Sequence, residues 1–151
     1  PLNGHVARIN GQRKGNNRSM KKIEIATENA PRAIGPYSQA VVAGNTLYAS
    51  GQIPIDPATG EPIGGDIKAQ AYRVMQNAAA VLAAAGLDFS SVVKTTVFLT
   101  DLDDFATVNA VYAEFFAKPY PARSCVQVAA LPKGAKIEME LVASLAGVRP
   151  Q

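Results

Sequence analysis

The strongest constraint on the fold is the order in which helical and strand-like patterns alternate along the chain. A first amphipathic helical segment begins after Asp66, a favourable N-cap residue, and ends at Gly86. A second follows Asp101 and Asp103 and ends before Pro119. Strand-like runs follow each helical segment, so we expect the chain to return to its sheet by crossovers that pass over the helices.

The other regular segments have the alternation or the β-branched content that is typical of strands. Gly44-Asn45 separates the first two of them and favours a tight hairpin. The candidate strands are residues 41–42, 47–50, 92–99, 123–128 and 137–145. This order predicts an α+β fold in which a mixed β-sheet carries both helices on one face.

The first residues differ in composition from the rest of the chain. Residues 1–19 contain four basic side chains, no acidic ones and no hydrophobic periodicity, and Met20 follows directly. We expect them to form a disordered leader or an added tail, with an Arg-rich organelle transit peptide as the alternative. We expect residues 20–151, called the body below, to form a single domain. Of the chain's 15 basic and 12 acidic residues, 11 basic and all 12 acidic lie in the body, so the body is not a basic protein.

Two residue types limit the chemistry of the body. The only histidine is His5, so the body contains no Ser-His-Asp or Cys-His nucleophile, no His-ligated zinc and no imidazole acid or base. The only cysteine, Cys125, excludes an internal disulfide and a multi-cysteine metal site. No apolar run is long enough to span a membrane or to act as a signal peptide, and we therefore predict a cytoplasmic protein without membrane contact.

Period-2 alternation in the last two strands predicts where their polar side chains lie. We expect Ser124, Val126 and Val128 to face the helices, which puts Arg123, Cys125 and Gln127 on the other side. By the same pattern Glu138 and Glu140 also face away from the helices. On alternation alone, an exposed cross-strand ion pair between Arg123 and Glu138, worth about 0–1 kcal/mol, is favoured over a functional site.

Four segments in order resemble the RidA/YjgF family, the reactive intermediate deaminases. They are ATENAPRAIGPYSQA at 26–40, ASGQIPIDPATGE at 49–61, AGLDFSSVVKTTVFLTDLDDFATVNAVY at 85–112 and PARSCVQVAALPKGAKIEMEL at 121–141. The resemblance implies the chorismate-mutase-like fold and a homotrimer with active sites between neighbouring subunits. It also implies hydrolysis of 2-iminopropanoate and 2-iminobutanoate, which arise from 2-aminoacrylate and related enamines, to 2-keto acids and ammonia. No metal or organic cofactor is implied.

The matched motifs imply roles for individual residues. The PARSC match makes Arg123 the residue that binds the substrate carboxylate, and the IEME match makes Glu138 the acidic residue that orients water or relays a proton. The GPYSQ match makes Tyr37 an active-site residue. Ser50, Gly51, Cys125 and Asn109 match positions that contact the substrate, and with no histidine beside it Cys125 is interpreted as a packing residue rather than a nucleophile.

Two other functions remain open from the sequence. Some members of the family lack enzymatic activity, and a protein of this kind could bind small carboxylates for regulation. Ribonuclease or translation-inhibitor activity is reported for other members, but the net charge of the body disfavours nucleic acid as a partner. The leading prediction is an imine deaminase that acts on small imino acids.

Overall fold

The computed structural model of the chain describes residues 21–146, so the leader predicted over residues 1–19 lies outside the described residues. The described part contains a six-stranded sheet with the strand order β1-β2-β3-β6-β4-β5. The strands are β1 (Ile23–Ile25), β2 (Ala40–Ala43), β3 (Thr46–Gln52), β4 (Val92–Leu99), β5 (Ala122–Gln127) and β6 (Ile137–Ser144). Sequence patterns missed β1, because three residues at a sheet edge are too short to show alternation.

The sheet is mixed, as predicted. Neighbouring strands are antiparallel from β1 through β6 to β4, and the last pair, β4 with β5, is parallel. The chain crosses from β3 to β4 through one helix and from β4 to β5 through another. The second crossover is required because parallel neighbours cannot be joined by a tight turn.

The helices begin where their capping residues predict. α1 (Ile67–Ala84) starts at Asp66, whose side-chain oxygen accepts a 2.9 Å hydrogen bond from the backbone N–H of Ala69. α2 (Phe105–Phe115) follows a short 3₁₀ turn, and Asp101 caps that turn by accepting a hydrogen bond from the N–H of Asp103. Gly86, at φ +72°, ends α1 in a conformation that favours glycine.

Both helices pack on one face of the sheet, which confirms the predicted two-layer α+β architecture. α1 contacts β3, β6 and α2. The core between the layers is built from side chains that are almost completely buried, among them Leu47, Val74, Val81, Leu82, Val97, Leu99, Met139 and Ala143. The other face of the sheet, called the open face below, is not covered by any helix of the described residues.

The predicted orientation of β5 was wrong. In the parallel pairing, Arg123 lies opposite Thr95 and Cys125 opposite Val97, and both β4 partners are fully buried beneath the helices. Arg123 and Cys125 therefore lie on the helix side, whereas Val126 is on the open face and 43% exposed. Alternation of Ser and Val against Arg and Cys is too weak a signal to fix a face, and pairing with β4 decides it.

The cap of α1 gives a stability prediction. Asp66→Ala removes the acceptor for the Ala69 N–H, so we expect the free energy of unfolding to fall by about 1 kcal/mol. Asp104 occupies the matching position before α2 but makes no side-chain capping hydrogen bond. Asp104→Ala is thus the matched control and should cost less than about 0.5 kcal/mol. Urea denaturation of the full-length variants measures both values, and equal losses would contradict the capping role of Asp66.

Candidate active site

A cavity of about 650 Å³ lies on the open face above β3 and β6. Four of the residues predicted from the sequence line it: Tyr37, Ser50, Gly51 and Glu138. They come from the loop before β2, from the end of β3 and from the start of β6. The sheet order brings them together because β3 and β6 are neighbours.

The end of β3 is irregular, and this irregularity shapes the cavity. The pairing of β3 with β6 shifts register between Ala49 and Gln52. A Cβ on Gly51 would lie 2.8 Å from the side-chain carboxyl carbon of Glu138 and closer still to one carboxyl oxygen. Gly51 therefore allows the Glu138 side chain to lie directly against the backbone of β3.

Ser50 forms hydrogen bonds with the loop that makes up one wall of the cavity. Its hydroxyl donates a 2.6 Å hydrogen bond to the backbone oxygen of Ser38, and its N–H donates to the oxygen of Gln39 at 2.9 Å. The hydroxyl oxygen can still accept a hydrogen bond from a bound molecule. Ser50 thus fixes the position of residues 38–39 and can also contact a ligand.

Glu138 lies on β6, an interior strand of the sheet, and the pKa of its carboxyl group is perturbed. Partial burial raises the pKa of its carboxyl group, and the negative charge of Glu140, two residues along the same face, raises it further. Both effects disfavour the charged form. A raised pKa makes this carboxyl group a stronger base than an ordinary glutamate, which suits it to general acid–base chemistry.

Gln39 is a structural determinant of the cavity that the sequence analysis did not identify. Its side chain is 5% exposed and makes hydrogen bonds to the backbone of Thr27, Ala30 and Pro31, with donor–acceptor distances of 2.7–3.3 Å. One buried amide therefore holds the loop that precedes Tyr37. No local pattern marks this role, because the partners lie 8–12 residues earlier in the chain.

Tyr37 lies at the exposed end of the loop that forms the cavity wall. Its ring is 53% exposed, and its hydroxyl accepts a hydrogen bond from the N–H of Ile34 at 3.3 Å. The hydroxyl proton is free to point toward a ligand. Tyr37 consequently offers both an aromatic surface and a donor at the mouth of the cavity.

The remaining predicted residues form a second group on the helix side of β5. The Arg123 guanidinium donates from Nη1 to the Asn109 side-chain oxygen at 2.7 Å. Its central carbon lies 4.7 Å from the ring centre of Tyr112 and 5.4 Å from that of Phe105. These three α2 residues hold the guanidinium against the helix.

Cys125 lies two residues beyond Arg123 on the same side of β5 and is partly buried against the core. Burial raises the pKa of its thiol, although the positive charge of Arg123 acts in the opposite direction. The neutral thiol is a poor nucleophile. This environment fits packing better than covalent catalysis.

The two groups cannot meet within one chain. The cavity residues lie on the open face, whereas Arg123, Asn109 and Cys125 lie on the helix side. β4 also separates β5 from β6, which places the two strands ~10 Å apart. The predictions that Arg123 and Glu138 share a face, and that they form a cross-strand pair, were therefore both wrong.

Two other kinds of site are absent from residues 21–146. Within that range no three His, Cys, Asp or Glu side chains cluster in a way that could hold a metal ion. Neither described helix has the combination of length and apolar character needed to cross a membrane.

Comparison with known proteins places these features in a family. The family described as Endoribonuclease L-PSP matches residues 27–145. The chain is 57% identical over 122 residues to the 2-iminobutanoate/2-iminopropanoate deaminase of Escherichia coli, covering 79% of this chain and 94% of that protein. It is 52% identical over 125 residues to the human protein of the same name, covering 83% and 91%.

A solved structure shows the same fold. The crystal structure of E. coli TdcF with bound serine matches with a TM-score of 0.77 and 50% sequence identity, over 81% of this chain and 98% of TdcF. The profile match, the sequence identities and the shared fold agree with the motifs at 26–40, 49–61, 85–112 and 121–141. The chain belongs to the RidA/YjgF family, whose profile bears the description Endoribonuclease L-PSP.

Proposed function

We propose that this protein is a 2-iminobutanoate/2-iminopropanoate deaminase, which hydrolyses small 2-imino acids to 2-keto acids and ammonia. The observation that carries the proposal is the Glu138 carboxyl group, held against Gly51 in the cavity with a raised pKa. The names of the E. coli and human relatives support the same reaction.

Arg123 binds the substrate carboxylate in this proposal. Asn109 takes one of its five N–H donors, so the remaining donors can form two parallel hydrogen bonds to a carboxylate. A lysine at this position would supply the charge without the planar pair of donors. Arg123 thereby determines that the substrate carries a carboxylate next to its imine carbon.

Glu138 acts first as the general base and then as the general acid of the reaction. As a carboxylate it accepts a proton from the water that attacks the imine carbon, and the electrons of the C=N bond move to the protonated nitrogen. Glu138 then returns the proton to the nitrogen of the resulting carbinolamine, and the C–N bond breaks to release ammonia. The hydroxyl group gives its proton to the Glu138 carboxylate as the C=O bond of the 2-keto acid forms. The exposed ring of Tyr37 and the backbone at Gly51 bound the space where this occurs.

We infer that a second copy of the chain completes the site. Arg123 and Glu138 lie on opposite faces of one sheet, so a single subunit cannot place both against one small substrate. The open face has the character of an interface, with Tyr48 50% exposed and Val126 43% exposed beside polar strand residues. β5 is an edge strand among the described strands, so in a homotrimer the edge that carries the Arg123 group of one subunit can lie against the Glu138 cavity of the next.

A ribonuclease activity receives less support from the chain, despite the description of the family profile. The body has 11 basic and 12 acidic residues, whereas RNA binding normally requires a basic surface. The body also contains no histidine to act as the acid or base of RNA cleavage. We propose a cytoplasmic enzyme that acts on metabolites and has no nucleic acid partner.

The first prediction tests the reaction itself. An amino-acid oxidase generates 2-iminobutanoate in situ, and release of 2-ketobutyrate is followed with and without the protein. We expect wild type to accelerate release and Arg123→Ala to lower kcat/KM about 100-fold, because charge-assisted hydrogen bonds to the substrate are lost. Arg123→Lys should recover only part of this loss.

Lys68→Ala, an exposed charge on α1, is the control and should retain wild-type activity. Full activity of both Arg123 variants would contradict the assigned role of the arginine. No acceleration by wild type would instead favour a protein that only binds small carboxylates.

The second prediction tests whether the site is shared between subunits. Arg123→Ala and Glu138→Gln should each be nearly inactive as pure proteins. Co-expression of the two should restore about a quarter of the wild-type activity, because random mixing gives that share of interfaces with both native residues. If each site were built from one chain, no mixed assembly would contain an intact site and activity would not return.

The third prediction concerns pH. Glu138 must be ionised to accept a proton, so kcat/KM should fall as the pH decreases through its pKa, which lies above the ordinary glutamate value of 4.5. Glu140→Gln removes a neighbouring negative charge and should move this acidic limb to lower pH. Glu24→Gln, on the distant strand β1, is the control and should not move the limb. If the acidic limb of the pH profile stayed at the wild-type pH in Glu140→Gln, Glu140 would not be a cause of the raised Glu138 pKa.

A further inference from the structure

Arg123 lies on an edge strand, where an arginine side chain normally samples many conformations. β5 has a neighbour on one side only, β4, among the described strands. An arginine that must meet a small carboxylate in a planar, two-donor geometry loses affinity if it is disordered before binding. Whatever fixes the guanidinium beforehand therefore contributes to substrate binding without touching the substrate.

One face of α2 provides this support. Phe105, Asn109 and Tyr112 are spaced four and three residues apart, so they form one stripe along the helix. Asn109 accepts the hydrogen bond from Nη1, and Tyr112 lies beneath the guanidinium with 4.7 Å between its ring centre and the guanidinium carbon. The hydrogen bond fixes one nitrogen, and the ring fixes the plane.

Tyr112 is itself anchored from below. Its hydroxyl oxygen lies 2.8 Å from the Thr95 hydroxyl oxygen, and the two side chains are 8% and 0% exposed. Thr95 is also the direct partner of Arg123 in the parallel pairing of β4 with β5. The same strand pair that carries Arg123 thus holds the ring against which the guanidinium lies.

The position of this hydroxyl pair is not explained by packing alone. Thr95 stands on β4 among the buried apolar residues Val97 and Leu99, where a valine would fill the same volume without a polar group. A buried hydroxyl is costly unless it is paired, and Thr95 is paired only with Tyr112 among the described side chains. The Phe116 ring, 4.4 Å from that of Tyr112, supports the other side of the tyrosine.

We propose that Tyr112 and Thr95 are positioning residues that orient Arg123 for the substrate carboxylate. Thr95 fixes the tyrosine ring through the hydroxyl pair, and the ring holds the guanidinium plane so that its remaining donors point away from α2. The inference rests on the proposed function, because it assumes that Arg123 binds a carboxylate. It adds two residues to the site that do not contact the substrate.

The test compares two product-like competitive inhibitors of the full-length enzyme. One is 2-oxobutanoate, and the other is 2-oxobutanamide, which has the same shape without the carboxylate charge. The ratio of their inhibition constants measures the preference for a carboxylate and is insensitive to a general loss of folded protein. Thermal denaturation of every variant is recorded alongside.

We expect Tyr112→Leu to reduce the carboxylate preference about tenfold, because it removes the ring beneath the guanidinium. Tyr112→Phe and Thr95→Val should each reduce it about threefold, since the ring remains but loses its anchor. The double variant Thr95→Val with Tyr112→Phe should equal either single one, because both remove the same interaction. Thr95→Ser keeps the hydroxyl group and should retain the wild-type ratio of the two inhibition constants.

Val111→Ala is the matched control, since Val111 is buried on α2 and is not among the residues that contact Arg123. It should lower the denaturation temperature and leave the carboxylate preference unchanged. The inference would be overturned if the carboxylate preference stayed at the wild-type value in every one of Tyr112→Phe, Thr95→Val and Tyr112→Leu that folds. Tyr112 and Thr95 would then have a purely structural role. An unchanged preference in Arg123→Ala would instead overturn the proposed role of the arginine.

Discussion

The parallel pairing of β4 with β5 is the constraint on which the rest of the site depends. Parallel strands require a crossover, and here the crossover contains α2, which therefore lies over the two strands that it connects. The pairing puts Arg123 beside Thr95 and turns its side chain toward α2. Asn109 and Tyr112 are then within reach of the guanidinium because they belong to the same crossover.

The same pairing separates the candidate residues into two groups. Residues that pair across neighbouring strands lie on the same face of a sheet. Because Thr95 and Val97 are buried beneath the helices, their partners Arg123 and Cys125 also lie on the helix side. Glu138 lies on a different strand and on the other face, next to Gly51. In the proposed reaction the small substrate needs both a guanidinium and a carboxyl group, and we propose that two subunits supply them.

Buried amide side chains give the cavity its shape. Gln39 holds the loop before Tyr37, and Asn77 on α1 donates to the backbone oxygens of Ile53 and Ile55 at 3.2 and 2.9 Å. Gln70, about two helical turns before Asn77 on the same face of α1, accepts a hydrogen bond from the N–H of Lys136 at 2.9 Å. Within the described residues every buried side-chain polar atom has a hydrogen-bond partner. Loops fixed in this way can hold a reactive site without regular secondary structure.

The sequence by itself determined the layered fold, since helix periodicity, the Asp66 cap and the β-branched run of β4 are local signals that survive in the structure. It also determined which residues matched a family motif, because motifs are read from residue identity. It did not determine the face of Arg123, the role of Gln39 or the support from Tyr112 and Thr95. Those features depend on strand pairing and on contacts between residues far apart in the chain, so only the tertiary structure decides them. For Arg123 the reason is that alternation in a short edge strand carries too little hydrophobic contrast to select a face.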